Sequence, residues 1–251
     1  MMFRKIASLL ALAGSIGIAH GASVIHDYGL NGSLSDALGG PALVSNGGTL
    51  GATGYTFGAN QGPTLSNGFT NNANYSVEMK FSFDQTAGFR KIIDFKNRTS
   101  DNGLYVLNTN LNFFPVVTGV GAQITNGTLV DVILTRDSGT NSVVGYVNGV
   151  LQISFTDLSN FAVFDATNNI AQFFRDDFVT GQGEASSGFV DFIRVYDGAL
   201  TDNQARCLQG NTPGACNIPG GGGNQNVPEP GSLALVGLGL LALFARKRPA
   251  H

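Results

Sequence analysis

Residues 75–83 read Tyr-Ser-Val-Glu-Met-Lys-Phe-Ser-Phe. Tyr75, Val77, Met79, Phe81 and Phe83 alternate with Ser76, Glu78, Lys80 and Ser82, the period of two that sends successive side chains to opposite faces of a strand. The stretch predicts a strand with one face in a core and one in water, with Glu78 and Lys80 on the wet side. Outward from it, apolar runs between Gly- and Asn-rich turns predict further strands at 24–28, 91–96, 104–107, 111–117, 129–135, 143–147, 150–155, 170–174 and 189–196. Asn148-Gly149 fits the positive φ angles of a type I′ turn and marks a hairpin. One segment reads as helix: Thr201-Asp202-Asn203-Gln204 has capping-box spacing and opens a short helix ending near Gly210. Many strands and one short helix make an all-β protein, an antiparallel sandwich.

The two ends carry different information. Arg4 and Lys5 precede an apolar run that closes in Ala19-His20-Gly21-Ala22, so residues 1–22 read as a signal peptide cleaved after Gly21 or Ala22. At the far end, the Gly-rich linker 217–226 leads to Val227-Pro228-Glu229-Pro230, then an apolar span at about 232–245, then the basic stop Arg246-Lys247-Arg248. The span is shorter than the roughly 20 residues of a comfortable membrane helix and would cross with local thinning or with basic side chains reaching the interface. Between the ends, residues 23–216 form one domain with its own core. That domain has nine Lys and Arg against sixteen Asp and Glu, a net charge near −7. An acidic domain without basic runs argues against nucleic acid as a partner.

The Val-Pro-Glu-Pro motif, the span and the basic cluster, in that order, resemble a PEP-CTERM sorting signal. The resemblance implies processing by an exosortase, transient membrane anchoring, and delivery to the envelope, surface or extracellular matrix of a Gram-negative bacterium that makes extracellular polysaccharide. A second resemblance rests on four ordered segments: residues 26–40 (HDYGLNGSLSDALGG), 75–83, 130–157 (VDVILTRDSGTNSVVGYVNGVLQISFTD) and 173–204 (FFRDDFVTGQGEASSGFVDFIRVYDGALTDNQ). Together they look like a LamG-like jelly roll of the concanavalin A-like superfamily. This likeness implies a binding module for glycan or matrix; a purely structural matrix protein is the alternative, and a glycan-active enzyme a third reading.

Catalysis finds little support. Glycosidases use paired carboxylates, yet the domain has only Glu78 and Glu184 as glutamates, and no strand carries an alternating acidic set. His26, the one histidine of the domain, does not make a triad. Asp176, Asp177, Glu184 and Asp191 gather around a Gly181-Gln182-Gly183 turn and are the candidate ligands of calcium, which takes 6–8 oxygens. The resemblance also implies calcium at the rim of such sandwiches. The other reading of the same loop is a solvated one, with Arg175 and Arg194 as counter-charges. A sugar ligand would want aromatic platforms; tryptophan is absent, and Tyr55, Phe69 and Tyr105 are the candidates. Cys207 and Cys216, close in an exported chain, read as a disulfide, with a metal site as the weaker alternative.

If Pro228-Glu229-Pro230 marks the processing site, protein recovered from the cell surface should lack residues 233–248. Intact-mass analysis of that fraction checks this, and a full-length C-terminus there would contradict it.

Overall fold

The structure, a computed structural model, describes residues 22–210 apart from Ala122, together with Cys216 and Ile218. The signal peptide (but for its last residue), most of the linker and the whole sorting signal lie outside the described residues. Along the chain run β1 (Val24–Tyr28), β2 (Thr49–Leu50), β3 (Tyr55–Phe57), β4 (Thr64–Leu65), β5 (Tyr75–Phe83), β6 (Phe89–Asp94) and β7 (Gly103–Leu107). They are followed by β8 (Asn110–Phe114), β9 (Val117–Thr118), β10 (Val130–Asp137), β11 (Ser142–Val147), β12 (Val150–Thr156), β13 (Ala171–Phe173), β14 (Gly188–Tyr196) and the helix α1 (Asp202–Leu208).

The strands form two antiparallel sheets. The eight-stranded sheet runs β12-β11-β10-β5-β14-β3-β2, with β1 sharing the outer edge of β14 beside β3. The six-stranded sheet runs β4-β13-β6-β7-β8-β9. The apolar set of β5 packs inward with Val132, Leu134, Val190, Ile193 and Val195 of its own sheet, and meets Ile93, Leu104, Val106, Leu111 and Phe113 of the other. Each such side chain contributes about 1.5–3 kcal/mol when fully buried. Ring pairs set the distance between layers, among them Phe57 stacked on Phe174 at 4.6 Å and Phe69 on Phe164 at 4.0 Å. Gly188 starts β14 because nothing larger fits there: a Cβ would lie 2.1 Å from the Ser82 carbonyl oxygen.

Two expectations are corrected here. The polar face of β5 is not wet: Ser76, Glu78 and Ser82 are all buried, and only Lys80 is half-exposed. The neighbouring strands place Ile133 and Tyr196 on the same outer face, and α1 packs Ala205 onto them with Leu200 and Tyr146. Ser76 is satisfied locally, donating to the Gly198 carbonyl (2.8 Å) and accepting the Leu200 N–H (2.9 Å). The second correction is at 111–117. Pro115 has no N–H to give a ladder, and the chain turns there, so one expected strand becomes β8 and β9.

The turn and cap chemistry follow the sequence. Asn148 and Gly149 have φ of 48° and 74° between β11 and β12. The Thr201 hydroxyl accepts the Gln204 N–H while the Gln204 side chain accepts the Thr201 N–H, a complete capping box. Cys207 and Cys216 form a disulfide that ties α1 to the chain beyond it.

One buried ion pair holds the far end of the sandwich. Arg136 on β10 and Asp157 after β12 meet at 3.1 Å, both essentially without solvent contact. The guanidinium also donates to the Ala73 carbonyl and to Asn141 and Asn160, and Asp157 accepts the N–H groups of Phe161 and Ala162. Replacing Arg136 by Met leaves that carboxylate buried without its cation. Urea unfolding of Arg136→Met should show a loss of about 3–5 kcal/mol; a loss below about 1 kcal/mol would contradict this role.

Candidate functional site

The outer face of the six-stranded sheet is built by register. Lys91 on β6 stands opposite Tyr105 on β7, Tyr105 opposite Asn112 on β8, and Asn112 opposite Thr118 on β9. Because strand side chains alternate, this row faces away from the core that Leu104, Val106, Leu111 and Phe113 occupy. Phe89 and Phe114 flank it, each meeting the Tyr105 ring edge-on at 5.5 Å and 6.3 Å, and both are half-exposed while Tyr105 is buried. The Asn112 amide nitrogen donates to the Val117 carbonyl and the Thr118 hydroxyl on β9. Its carbonyl oxygen, on the other arm of the amide, is buried with no donor.

The segment between β13 and β14 folds beside this row. Asn60 pins it, accepting the Asp176 N–H at 2.8 Å and donating to the Gln182 carbonyl at 3.0 Å. Arg98 binds it from the other side, donating to the Asp176 carbonyl and the Gln182 side chain. Gly181 and Gln182, at φ of 76° and 62°, make the turn that brings the chain back. The Glu184 N–H then reaches Asp176 Oδ2 at 2.8 Å, and the Lys91 N–H reaches the Glu184 carbonyl at 2.8 Å.

Lys91 is the centre of the arrangement. Its Nζ is fully buried, 2.8 Å from Asp177 Oδ2, 3.6 Å from Asp94 Oδ2, 3.9 Å from Asp176 Oδ1, and 4.4 Å from the centre of the Tyr105 ring. Tyr105 in turn donates to the Asp101 carbonyl at 2.8 Å and stands 3.2 Å from Asp101 Oδ1. Burial alone would push Asp177 up, but the Lys91 ammonium and the N–H groups of Thr180 and Val179 outweigh it and hold the carboxyl below its ordinary range. The others go the opposite way. Burial raises Asp94, Asp176, Asp101 and Glu184, and neighbouring carboxylates add to the rise. The Lys91 ammonium and the Arg98 guanidinium, whose charge also reaches Asp94, Asp176 and Asp177, do not balance the five acids.

The expected site residues therefore separate. Asp176 and Asp177 converge, and Glu184 joins them through its backbone. Asp191 does not: it lies on the outer face of the eight-stranded sheet, 3.6 Å from Lys80. The position between Asp176 and Asp177 is held by an ammonium, and their other oxygens are engaged by backbone N–H groups. These residues as arranged do not fit calcium, which would have to displace Lys91. The counter-charges also differ from those expected. Arg175 binds the Asn60 carbonyl, Thr64 and Gln172, while Arg194 pairs with Asp27 and Glu78 on the other sheet. Tyr55, Phe69 and Tyr105 are all buried, so none is an exposed platform.

Sequence reasoning missed Lys91, Asp94, Asp101, Asn112, Phe89 and Phe114. Lys91 carries no signal distinguishing it from a strand-edge lysine. Nor is Glu78 solvated: it accepts from the Tyr196 hydroxyl at 2.6 Å, and burial raises its pKa despite that bond and Arg194. Burial, with the charge of Glu78, pushes Asp131 up to about 7, and the Gln209 amide at the end of α1 donates to it. His26 bonds Asp36 at 2.7 Å in a buried pair that braces β1.

A two-sheet sandwich with one outer face roofed by a helix, and the other lined with aromatic, amide and acidic groups, is a lectin-like jelly roll. Residues 57–206 match the family model described as the concanavalin A-like lectin/glucanases superfamily, and the chain belongs to that superfamily. Residues 226–248 match the PEP-CTERM protein-sorting motif, which implies export, processing by exosortase, and sorting to the cell envelope or surface. Similar solved structures include domain 4 of AbnA, a GH43 extracellular arabinanase from Geobacillus stearothermophilus, in complex with arabinotriose. It is 21% identical with a TM-score of 0.57, over 76% of this chain and all of that one. Trypanosoma rangeli sialidase, in complex with 2,3-difluorosialic acid as a covalent intermediate, is 16% identical with a TM-score of 0.55, over 75% of this chain. The binding domain of botulinum neurotoxin serotype D is 13% identical with a TM-score of 0.51, over 76% of this chain. This chain spans only 32% of the sialidase and 52% of the toxin domain, and likeness at these identities is one of fold. No curated protein matches the chain.

The charge imbalance predicts a pH effect. A carboxyl whose folded pKa is raised favours the fold below its unfolded value and opposes it as pH rises through the folded one. Glu184 is such a group, and among the described residues its carboxylate makes no hydrogen bond or ion pair that a glutamine would lose. Glu184→Gln should therefore raise the thermal midpoint at pH 7 and leave it unchanged at about pH 4. Calorimetry at both values checks this; a lowered midpoint at pH 7 would contradict it.

Proposed function

We propose that this exported, surface-sorted protein is a non-catalytic glycan-binding module, and that its ligand lies on the outer face of the six-stranded sheet. The observation that carries the reading is the row at its centre: half-exposed Phe89 and Phe114 around the buried Tyr105 ring, beside the donor-less carbonyl of Asn112. Sugar rings present C–H faces that pack on aromatic side chains and hydroxyls that donate to such acceptors, and binding sites of this kind are largely apolar with a few placed polar groups. The arabinanase domain solved with arabinotriose supports carbohydrate as the ligand class. The sorting motif supports a surface role, and a cell-surface or matrix polysaccharide is the partner in reach.

Absence of catalysis is part of the proposal. A glycosidase needs one carboxyl free to give a proton and another free to attack or to activate water. Asp177 is held ionised by Lys91 and two N–H groups, and Asp176 accepts the Glu184 N–H. Of the other raised carboxyls, Glu78 and Asp131 are bonded to Tyr196 and to Gln209 at the end of α1, and Asp101 accepts from the Tyr105 hydroxyl; among the described residues that leaves Glu184 as one free carboxyl where two are needed.

Calorimetric titration of the surface form with neutral oligosaccharides, arabinotriose among them, tests the reading. Phe89→Ala and Phe114→Ala should each weaken the binding of a responsive sugar by about tenfold, the worth of one stacked ring. Binding unchanged in both variants would move the ligand elsewhere, and no binding by any sugar would leave a purely structural matrix role.

A further inference from the structure

The described face is short of hydrogen-bond donors. Asp94 Oδ2, Asp176 Oδ1 and the Asn112 carbonyl are buried oxygens with no hydrogen-bond partner. Lys91 stands at ion-pair distance from the first two, beyond hydrogen-bonding reach, because its close contact is with Asp177. At the edge of the same group, Asp101 and Glu184 are half-exposed, and neither forms an ion pair among the described residues. Contacts join the group: Asp101 to Tyr105, Tyr105 to Lys91, Lys91 to both Asp177 and Asp176, and Asp176 to the Glu184 N–H. The half-exposed rings of Phe89 and Phe114 pack edge-on against the same Tyr105 ring.

We infer that the glycan this face takes carries a protonated amine, an amino sugar with its nitrogen free rather than acetylated, seated between Asp101 and Glu184 with its ring on Phe89 and Phe114. The inference rests on the glycan-binding reading above and names the class of sugar within it. The unfilled groups at the centre of this face are acceptors, so the missing partner is a donor, and the carboxylates at the edge call for a positive one. An ammonium brings three donors and a charge in one group. A neutral sugar supplies hydroxyl donors to Asn112 but leaves Asp101 and Glu184 repelling each other. A uronic acid adds to that repulsion. Burial and neighbouring carboxylates, Asp177 for both and Asp176 and Asp101 for Glu184, already raise both carboxyls, the condition that an arriving cation relieves.

The test compares four ligands by calorimetry on the surface form: the trimers of glucosamine, N-acetylglucosamine and galacturonic acid, and trilysine. The glucosamine trimer should bind roughly tenfold to a hundredfold more tightly than its acetylated counterpart, the worth of one or two charge-assisted hydrogen bonds. That advantage should shrink as salt is raised. Glu184→Gln and Asp101→Asn should each narrow it, and the double variant should bring the two trimers to one affinity. Equal affinity in the unaltered protein, or preference for the uronate, would overturn the inference while leaving a glycan-binding protein. Trilysine binding as tightly as the glucosamine trimer would overturn it in favour of an ammonium site indifferent to the sugar. If no sugar binds, the underlying reading fails and the inference with it.

Discussion

The ammonium of Lys91 is the constraint around which the outer face of the six-stranded sheet is arranged. Removing a lysine from water costs several kcal/mol, and attraction in the interior offsets this only where geometry is close and other charges are satisfied. Here the offset is shared among Asp177 in direct contact and Asp94 and Asp176 slightly farther off. These acids come from two places, the end of β6 and the segment after β13. The buried charge therefore sutures a long loop onto the sheet. Asn60 and Arg98 finish the attachment through backbone atoms, which fixes where Glu184 emerges. A neutral residue at 91 would leave these acids to repel one another and would set that repulsion against the bonds from Asn60 and Arg98.

The two sheets use their outer faces in opposite ways. On the outer face of the eight-stranded sheet, polar side chains of β5, β10 and β14 are paired beneath the helix: Glu78 with Tyr196, Ser76 with the backbone near α1, Asp131 with Gln209. Each acceptor there has a donor, and the capped helix covers them. Such saturation rigidifies a layer and leaves little to offer a ligand. The six-stranded sheet keeps unfilled acceptors and half-exposed rings instead. Proteins tolerate unsatisfied groups of that kind where something other than the fold satisfies them.

Much of the architecture was legible in the sequence, and the reasons are local. Strands long enough to show alternation, such as 189–196, stand out, as do the Asn148-Gly149 turn and the Thr201 capping box, because each is determined by neighbours in the chain. Two- and three-residue strands such as β2 and β4 are too short to show a period. The polar face of β5 was misread because its cover comes from α1, more than a hundred residues later. The candidate site was only partly legible. Asp176, Asp177 and Glu184 share a loop and were visible as a cluster. Lys91, about 85 residues earlier, was not, and it places an ammonium where a divalent metal was expected. Asp191 follows Glu184 closely in sequence, yet the pleat and bulge of β14 send it to the opposite sheet.

Charge at two length scales bears on what such a face can hold. Over the whole domain, sixteen acids against nine bases give a negative field. At physiological salt this field reaches only about 8 Å beyond the surface, so it governs encounter rather than the bound state. An anionic polymer would be repelled before contact, and a neutral one would feel nothing. Within contact distance the same sign recurs in half-exposed Asp101 and Glu184, where lower polarity strengthens each interaction. Long-range and short-range charge therefore favour the same partner. A single shallow site of this kind binds weakly, but a surface displaying many copies against a repeating polymer converts weak contacts into firm attachment through effective concentration. The sorting signal delivers the domain to the cell envelope or surface, where copies held side by side would supply that arrangement without any further change in the domain itself.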